Sequence, residues 1–249
     1  MGKLYKNAPI VEAILAIHAT SAEGIGTEQL AVLGERLPAE FDPKPTKVIQ
    51  SDIGLKLDEE LHATFQPGEY RVLGFRYDDK PGKQVVQFKT DGFSYHKLQP
   101  YISWDDLLTK VKGLWPSYRM VATPTVVNRI VLKYINRIEV PFDGETELDL
   151  EKYFSTTPKL AEGLSYPMVD FFMRFGIVNE ANKANGVVVM TSQPTANGNL
   201  PVIFDNEVSL HVGSDINDDA LWEKFEILRE LKNEIFEKSL TEKTKELFR

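Results

Sequence analysis

The chain contains no cysteine. That excludes disulfides, thiol catalysis, iron–sulfur ligation and cysteine-based zinc sites, and it fits a reducing compartment. Histidine is scarce as well: His18, His62, His96 and His211 are the only four in 249 residues. None has a second histidine three or four positions away and no His-Glu-x-x-His occurs, so a metal site would have to be assembled from distant positions. No metal and no cofactor is expected. No apolar run approaches the roughly 18 residues of a membrane span. The apolar stretch Ile10–Ala19 includes Glu12 and His18 and is followed by no small-residue cleavage pattern, so it reads as a strand, not a signal peptide. The expected setting is cytoplasmic, with no membrane partner.

Basic residues are in the minority. Lys and Arg number 29 against 37 Asp and Glu, for a net charge of −8. A dedicated nucleic-acid binder usually carries the opposite balance, so nucleic acid is a disfavoured partner, although a local basic patch stays open. Phosphate-binding loops are absent too. Gly24-Ile25-Gly26-Thr27 lacks the third glycine of a dinucleotide fingerprint and the Gly-Lys-Ser/Thr of a P-loop, and reads as a turn and helix cap. No Gly-x-Ser-x-Gly elbow is present.

What the chain does have is an α+β pattern in two rounds. Ile10–Ala19 reads as a strand and Thr27–Leu37 as a short helix stopped by Pro38. Strands follow near Lys47–Leu57, Tyr70–Tyr77 and Gln84–Leu98, with Asp79-Lys80-Pro81-Gly82 as a hairpin turn. Ser103 caps a helix whose apolar positions are Trp104, Leu107, Leu108, Val111, Leu114, Trp115 and Tyr118, and which Pro116 is expected to kink or end. The second round begins with the strand Val126–Val140 and a helix-like element at Leu148–Phe154. Strands near Met168–Asn179, Gly186–Gln193 and Val202–Val212 come next, with an Asn197-Gly198 hairpin. A long helix opens at Asn217-Asp218-Asp219 and carries Leu221, Phe225, Leu228, Leu231 and Ile235. Thr241 starts a short terminal helix. The expected fold is therefore two pseudo-symmetric halves, residues 1–122 and 123–249, each strand, short helix, three antiparallel strands, long helix. This order resembles the TATA-binding-protein-like and helix-grip topologies, an analogy that concerns fold alone.

Four segments carry a resemblance: Ala8-Pro9-Ile10-Val11-Glu12-Ala13-Ile14, Pro100-Tyr101-Ile102-Ser103-Trp104, Leu132-Lys133-Tyr134-Ile135-Asn136-Arg137-Ile138, and Asn233 to Glu242. Together they resemble a sporadically distributed family of bacterial proteins of about this length with no assigned activity. The family often has arginine where this chain has Lys133. The resemblance implies a bacterial, cytoplasmic protein and supplies no catalytic residue; patchy distribution suggests a defence or toxin–antitoxin context.

Candidate chemistry is weighed against simpler readings. Asp105-Asp106 and Asp218-Asp219 open helices, where the dipole favours negative charge. Asp78-Asp79 belongs to a turn and Asp58-Glu59-Glu60 to a polar stretch, so solvated turns and caps are the default. Most aromatics, the Phe171, Phe172 and Phe175 cluster among them, are expected in the core. His96 and His211 occupy matching places before the two long helices. An internal twofold could bring them together, although ending a strand with a local hydrogen bond is the simpler role. In Val126–Val140, period-two alternation puts Arg129, Lys133 and Arg137 in one line opposite Ile130, Leu132, Tyr134 and Ile138. On an open sheet face that line, with Arg76, Lys89 and Arg174 beside it, would be a binding surface. A solvated face balanced by nearby Asp and Glu is the plainer alternative. The leading reading is a non-enzymatic binding or interaction module, antitoxin-like or chaperone-like, whose partner is another protein or a second copy. The alternatives are a ligand-binding or enzymatic pocket between sheet and helix, supported by a cavity with converging polar groups, and a nucleic-acid saddle on the basic face.

Overall fold

The structure is a computed structural model and describes residues 5–21, 24–57, 63–142, 149–164, 166–213 and 218–249. His62 and the Asp58-Glu59-Glu60 run lie outside the described residues. The elements run β1 (Ile10–Ser21), α1 (Thr27–Ala31), a 3-10 turn (Gly34–Arg36), β2 (Thr46–Leu57), β3 (Ala63–Asp78), β4 (Gln84–Lys89), β5 (Gly92–Leu98) and α2 (Trp104–Ala122). They continue β6 (Pro124–Pro141), a 3-10 turn (Leu150–Lys152), β7 (Phe172–Asn179), β8 (Ala184–Ser192), β9 (Asn199–His211), α3 (Asp218–Ser239) and α4 (Glu242–Glu246). All nine strands join one antiparallel sheet in the order β2-β3-β4-β5-β1-β6-β9-β8-β7.

Side-chain alternation decides which face is covered. In β1, Ala13, Leu15 and Ile17 are fully buried while their neighbours are only partly so. In β6, Ile130, Leu132, Tyr134 and Ile138 take the same side and are buried. On that side α2 packs on β5, and α3 packs on β6, β8 and β9. The stripe of Leu221, Phe225, Leu228, Leu231 and Ile235 on α3 is buried there. Among the described residues no helix packs on the other face.

Three local readings change. The segment Gln84–Leu98 is two strands, so the first half has four strands after its short helix, not three. The turn at Thr90-Asp91 works because residue 92 is glycine: its φ is +151°, and a Cβ there would lie 2.3 Å from the Ile17 carbonyl oxygen. Pro116 does not end α2, which runs on to Ala122. Pro116 lies on the exposed side of the helix with Lys112, so the carbonyl it leaves unbonded faces solvent. Thr123 ends the helix in the left-handed conformation, φ 41°, immediately before Pro124. Finally, the Phe171 cluster divides: Phe171 is buried, whereas Phe172 and Phe175 are exposed on the edge strand.

The chain ends are tied together beside α3. Asn7 N donates to the Phe248 carbonyl at 2.9 Å, and the Tyr5 ring meets Phe236 and Phe248. Thr241 caps α4, and its neighbours latch onto Tyr153 and Ser155.

Candidate functional site

The ladder registers place the basic line on the uncovered face. Arg129 stands between His18 of β1 and His211 of β9, and Lys133 between Ile14 and Glu207. Each cation meets acid. Arg129 Nη2 lies 3.0 Å from Glu207, Lys133 Nζ 2.8 Å from Asp205 and 3.7 Å from Glu207, and Arg137 Nε 2.6 Å from Glu139. Arg76 pairs with Asp78 at 2.6 Å and Lys89 with Asp91 at 3.4 Å. Arg174 is exposed on the edge strand β7, opposite Val189 and separated from β6 by β9 and β8. The line exists, but its charge is largely compensated.

His96 and His211 do not meet. They lie on β5 and β9, with β1 and β6 between, which is about 14 Å across the sheet at roughly 4.8 Å per strand. They also sit in different rows, opposite Ile14 and Arg129 respectively. His96 instead forms a relay within its own half. Its Nδ1 lies 2.8 Å from Glu12 Oε1 and its Nε2 3.0 Å from Ser94 Oγ. The hydrogen bond from His96 holds the Glu12 carboxyl below its usual range, helped by the charges of His96, Lys133 and Arg76 and opposed by burial. The connectivity is that of a nucleophilic triad, yet Ser94 is buried in a strand laddered on both sides. The two hydrogen bonds fix the orientation of the His96 ring on the open face. Burial also depresses His18, with Lys89 adding to the effect. Among the described residues no group of His, Asp and Glu is arranged to hold a metal ion, and no helix is long and apolar enough to cross a membrane.

The covered face holds a cavity of about 230 Å³. Tyr5, Ala8, Pro9 and Ile10 of the N-terminal segment line it, with Tyr101, Ser103, Trp104 and Asp105 at the entry to α2. Tyr134 and Asn136 of β6 and Arg229, Lys232, Asn233, Phe236 and Glu237 of α3 complete it. A wider cleft of about 680 Å³ shares Tyr5, Ala8, Ile10 and Tyr101 with it. None of the basic-face residues and neither of the matched histidines lines it; of the carboxylates weighed from the sequence, Asp105 does. Nonetheless, the four segments quoted for the family resemblance supply most of the lining.

Lys232 is the unusual member. It falls on the buried stripe of α3, four residues after Leu228 and three before Ile235. Its backbone carbonyl accepts from the buried Asn206 amide at 2.9 Å, which holds this turn of α3 against β9. The residue is half-buried, and its Nζ lies 3.9 Å from the centre of the Tyr134 ring. Among the described residues no carboxylate lies within ion-pair distance of it. Burial, reinforced by the nearby Arg229 charge and only partly offset by Glu237, pushes the Lys232 amine down to about 7.

The neighbours are orderly. The Tyr134 and Tyr101 hydroxyls are 2.8 Å apart, and burial pushes the Tyr101 phenol up to about 12 and Tyr134 well above the usual value, so both keep their protons. Arg229 pairs with Glu226 at 3.0 Å and lies over the Trp104 ring, whose indole N–H donates to Glu226 at 2.6 Å. Tyr5 OH donates to Glu237 at 3.0 Å, and burial raises its pKa. The cavity thus joins an apolar wall (Pro9, Ile10, Phe236) to a head lined by Arg229, Lys232, Asn136 and two protonated phenols. No protein-family model matches the chain, and no curated protein matches it either.

Proposed function

We propose that the protein is a small-molecule binding module whose ligand occupies the cavity between α3 and the central strands. The ligand directs a carboxylate or carbonyl head toward Arg229 and Lys232 and an apolar part toward Pro9, Ile10 and Phe236. The observation that carries this reading is the enclosed amine of Lys232 without a carboxylate partner. A protein that only needed a packed core would fill that stripe position with an apolar side chain, because an unpaired buried charge is costly. At about 230 Å³ the cavity lies below the roughly 300–1,000 Å³ of drug-sized sites, which favours a metabolite. The convergence of the four family-like segments on this cavity adds support: if the chain belongs to that bacterial, cytoplasmic family, this is where its members have most in common.

The two-repeat reading supports the same placement. Ala16 and Val131 face each other across the centre, Ser94 stands opposite Ala16, and Ser209 opposite Val131. The long helices α2 and α3 follow β5 and β9 in corresponding order, which is how a pseudo-symmetric, helix-grip-like chain would cover one face of its sheet. β2 has no counterpart in the second half. A nucleic-acid saddle on the open face has less in its favour, because that line of cations is paired with acids. An antitoxin-like or chaperone-like role would build on the ligand-binding unit, with the partner sensing its occupancy.

The test is a thermal-shift series with small carboxylic, 2-hydroxy and 2-oxo acids. At least one class should raise the melting temperature of the intact chain, since a ligand at 100 times its Kd adds about 2.7 kcal/mol. The shift should disappear in Arg229→Ala and persist in Arg137→Gln. If no acid shifts the melting curve, the cavity is not an acid site.

A further inference from the structure

We propose that Lys232 is a nucleophilic amine that forms an imine with a carbonyl-bearing ligand, an aldehyde or a 2-oxo acid, in the cavity beneath α3. The proposal rests on the binding reading above and adds a covalent step to it. Three geometric features carry it. Lys232 lines the cavity, and its Nζ lies 3.9 Å from the centre of the Tyr134 ring with, among the described residues, no carboxylate within ion-pair distance. Arg229 stands one helical turn before it on the same helix and lines the same cavity, in place to receive a carboxylate adjacent to the carbonyl. The Tyr101–Tyr134 hydroxyl pair remains protonated; one O–H bridges the two oxygens and the other is left to donate to a ligand.

The charged and titratable groups around Nζ come from every wall. Arg229 and Glu237 lie on α3, Tyr134 on β6, Tyr101 and Asp105 at the entry to α2, and Tyr5 on the N-terminal segment. Of these, Arg229 disfavours the ammonium form and Glu237 favours it, and burial outweighs both. An amine titrating near 7 is about half neutral at neutral pH, whereas an ordinary lysine near 10.4 is neutral in fewer than about one molecule in a thousand. The neutral form is the one with a lone pair to donate.

The step balances without a further reagent. The Nζ lone pair adds to the carbonyl carbon as the C=O π electrons move to oxygen. One amine hydrogen passes to that oxygen, giving a carbinolamine. The second N–H hydrogen leaves with the hydroxyl as water while the nitrogen lone pair closes C=N. Amine and carbonyl become imine and water, and nothing is oxidised or reduced.

The experiment uses the intact chain with pyruvate, 2-oxoglutarate or acetaldehyde, each with sodium cyanoborohydride, followed by peptide mass analysis. Lactate and 2-hydroxyglutarate serve as acids that cannot form an imine. The expected result is a reduced adduct on the Lys232 peptide, approaching one per chain, formed at least about tenfold faster than on any other lysine. The adduct should be lost in Lys232→Arg, which retains a long cationic side chain, and its rate should rise with pH through about 7. Acid binding without an adduct at Lys232 overturns the imine and leaves the binding reading standing. No binding and no adduct with any probe overturns both. Adducts spread evenly over exposed lysines, or unchanged in Lys232→Arg, also overturn the imine.

Discussion

On the open face of the sheet, Lys133 reaches Asp205 at 2.8 Å and Glu207 at 3.7 Å; on the covered face, Lys232 reaches the face of the Tyr134 ring and, among the described residues, no carboxylate. Lys133 has its partners because Glu207 lies directly opposite it on β9 and Asp205 two residues before, on the same face. Among the described residues Lys232 has no carboxylate within ion-pair distance: Arg229, one turn before it, is a like charge, and Glu237 accepts from Tyr5. Prominence in the sequence and isolation of charge in the fold therefore point in opposite directions. A line of three cations at strand spacing attracts the eye, yet it is balanced within the sheet. One lysine on an apolar helix stripe is inconspicuous, yet it is the group whose charge the fold leaves uncompensated. Proteins retain such costly placements chiefly where binding or chemistry needs them.

The largest effect expected from this contrast is stabilisation. Lys232→Met should raise stability at pH 7 by roughly 1–3 kcal/mol, because a flexible apolar chain fills the stripe without a charge to desolvate. For a chain of this length that is about 2–10 °C in melting temperature. The pH dependence has a definite sign. The Lys232 pKa is about 7 in the folded chain and 10.5 as the ordinary value, so between these limits the unfolded chain binds a proton that the folded chain lacks. Wild-type stability therefore gains with rising pH across that window, and the advantage of Lys232→Met should shrink toward pH 10. Urea melts of both proteins at pH 7 and pH 10 measure it. A destabilised Met variant would mean that the amine is held by favourable contacts and that the contrast between the two lysines is not real.

Most of the fold was legible because it depends on local periodicity. The alternation in β1 and β6, the caps at Ser103 and Thr241, and the stripe of α3 follow from rules that act within a few residues. The β4–β5 turn escaped because it depends on a glycine whose constraint is the approach of the Ile17 carbonyl from another strand. The line Arg129, Lys133 and Arg137 was legible, but its acidic partners come mainly from β9, some 70 residues on, and single-strand alternation does not give their register. The cavity was hidden for the same reason, since its walls come from four separated segments. One signal was available: the spacing 221, 225, 228, 232, 235 runs through a lysine, and reading Leu231 alone as the stripe position passed over it.

On the opposite face, an intermediate effect is expected at Glu12. Its folded pKa lies below the ordinary 4.5, chiefly through the hydrogen bond from His96, so its contribution is present above that value and is lost as the pH falls through the folded value. Glu12→Gln should cost roughly 0.5–1 kcal/mol at pH 7, because the pair is only partly buried. The deficit should narrow as the pH falls below the ordinary 4.5 toward the lower folded value and the wild-type carboxyl takes up a proton. Melting curves at pH 7 and pH 3 give the comparison, and a deficit of equal size at both would assign the loss to packing, not charge.

The smallest effect belongs to Arg137, and it tests the open face most directly. Its side chain is 40% exposed and its partner Glu139 45% exposed, two residues along the same strand. An ion pair of that kind contributes roughly 0–0.5 kcal/mol, because water and salt screen both charges and two long side chains lose freedom to hold one geometry. Arg137 Nη1 also donates to Gln193 at 2.8 Å, a contact that a glutamine at 137 can partly replace. Arg137→Gln should therefore leave the melting temperature within about 1–2 °C of wild type, with the difference shrinking further in high salt. Ligand binding in the cavity should not change, since residue 137 points to the other face of β6. A loss above about 1 kcal/mol would show that the cation is structural. Unchanged stability with lost binding to a macromolecular partner would instead return the open face to the centre of the function and reduce the cavity to a secondary role.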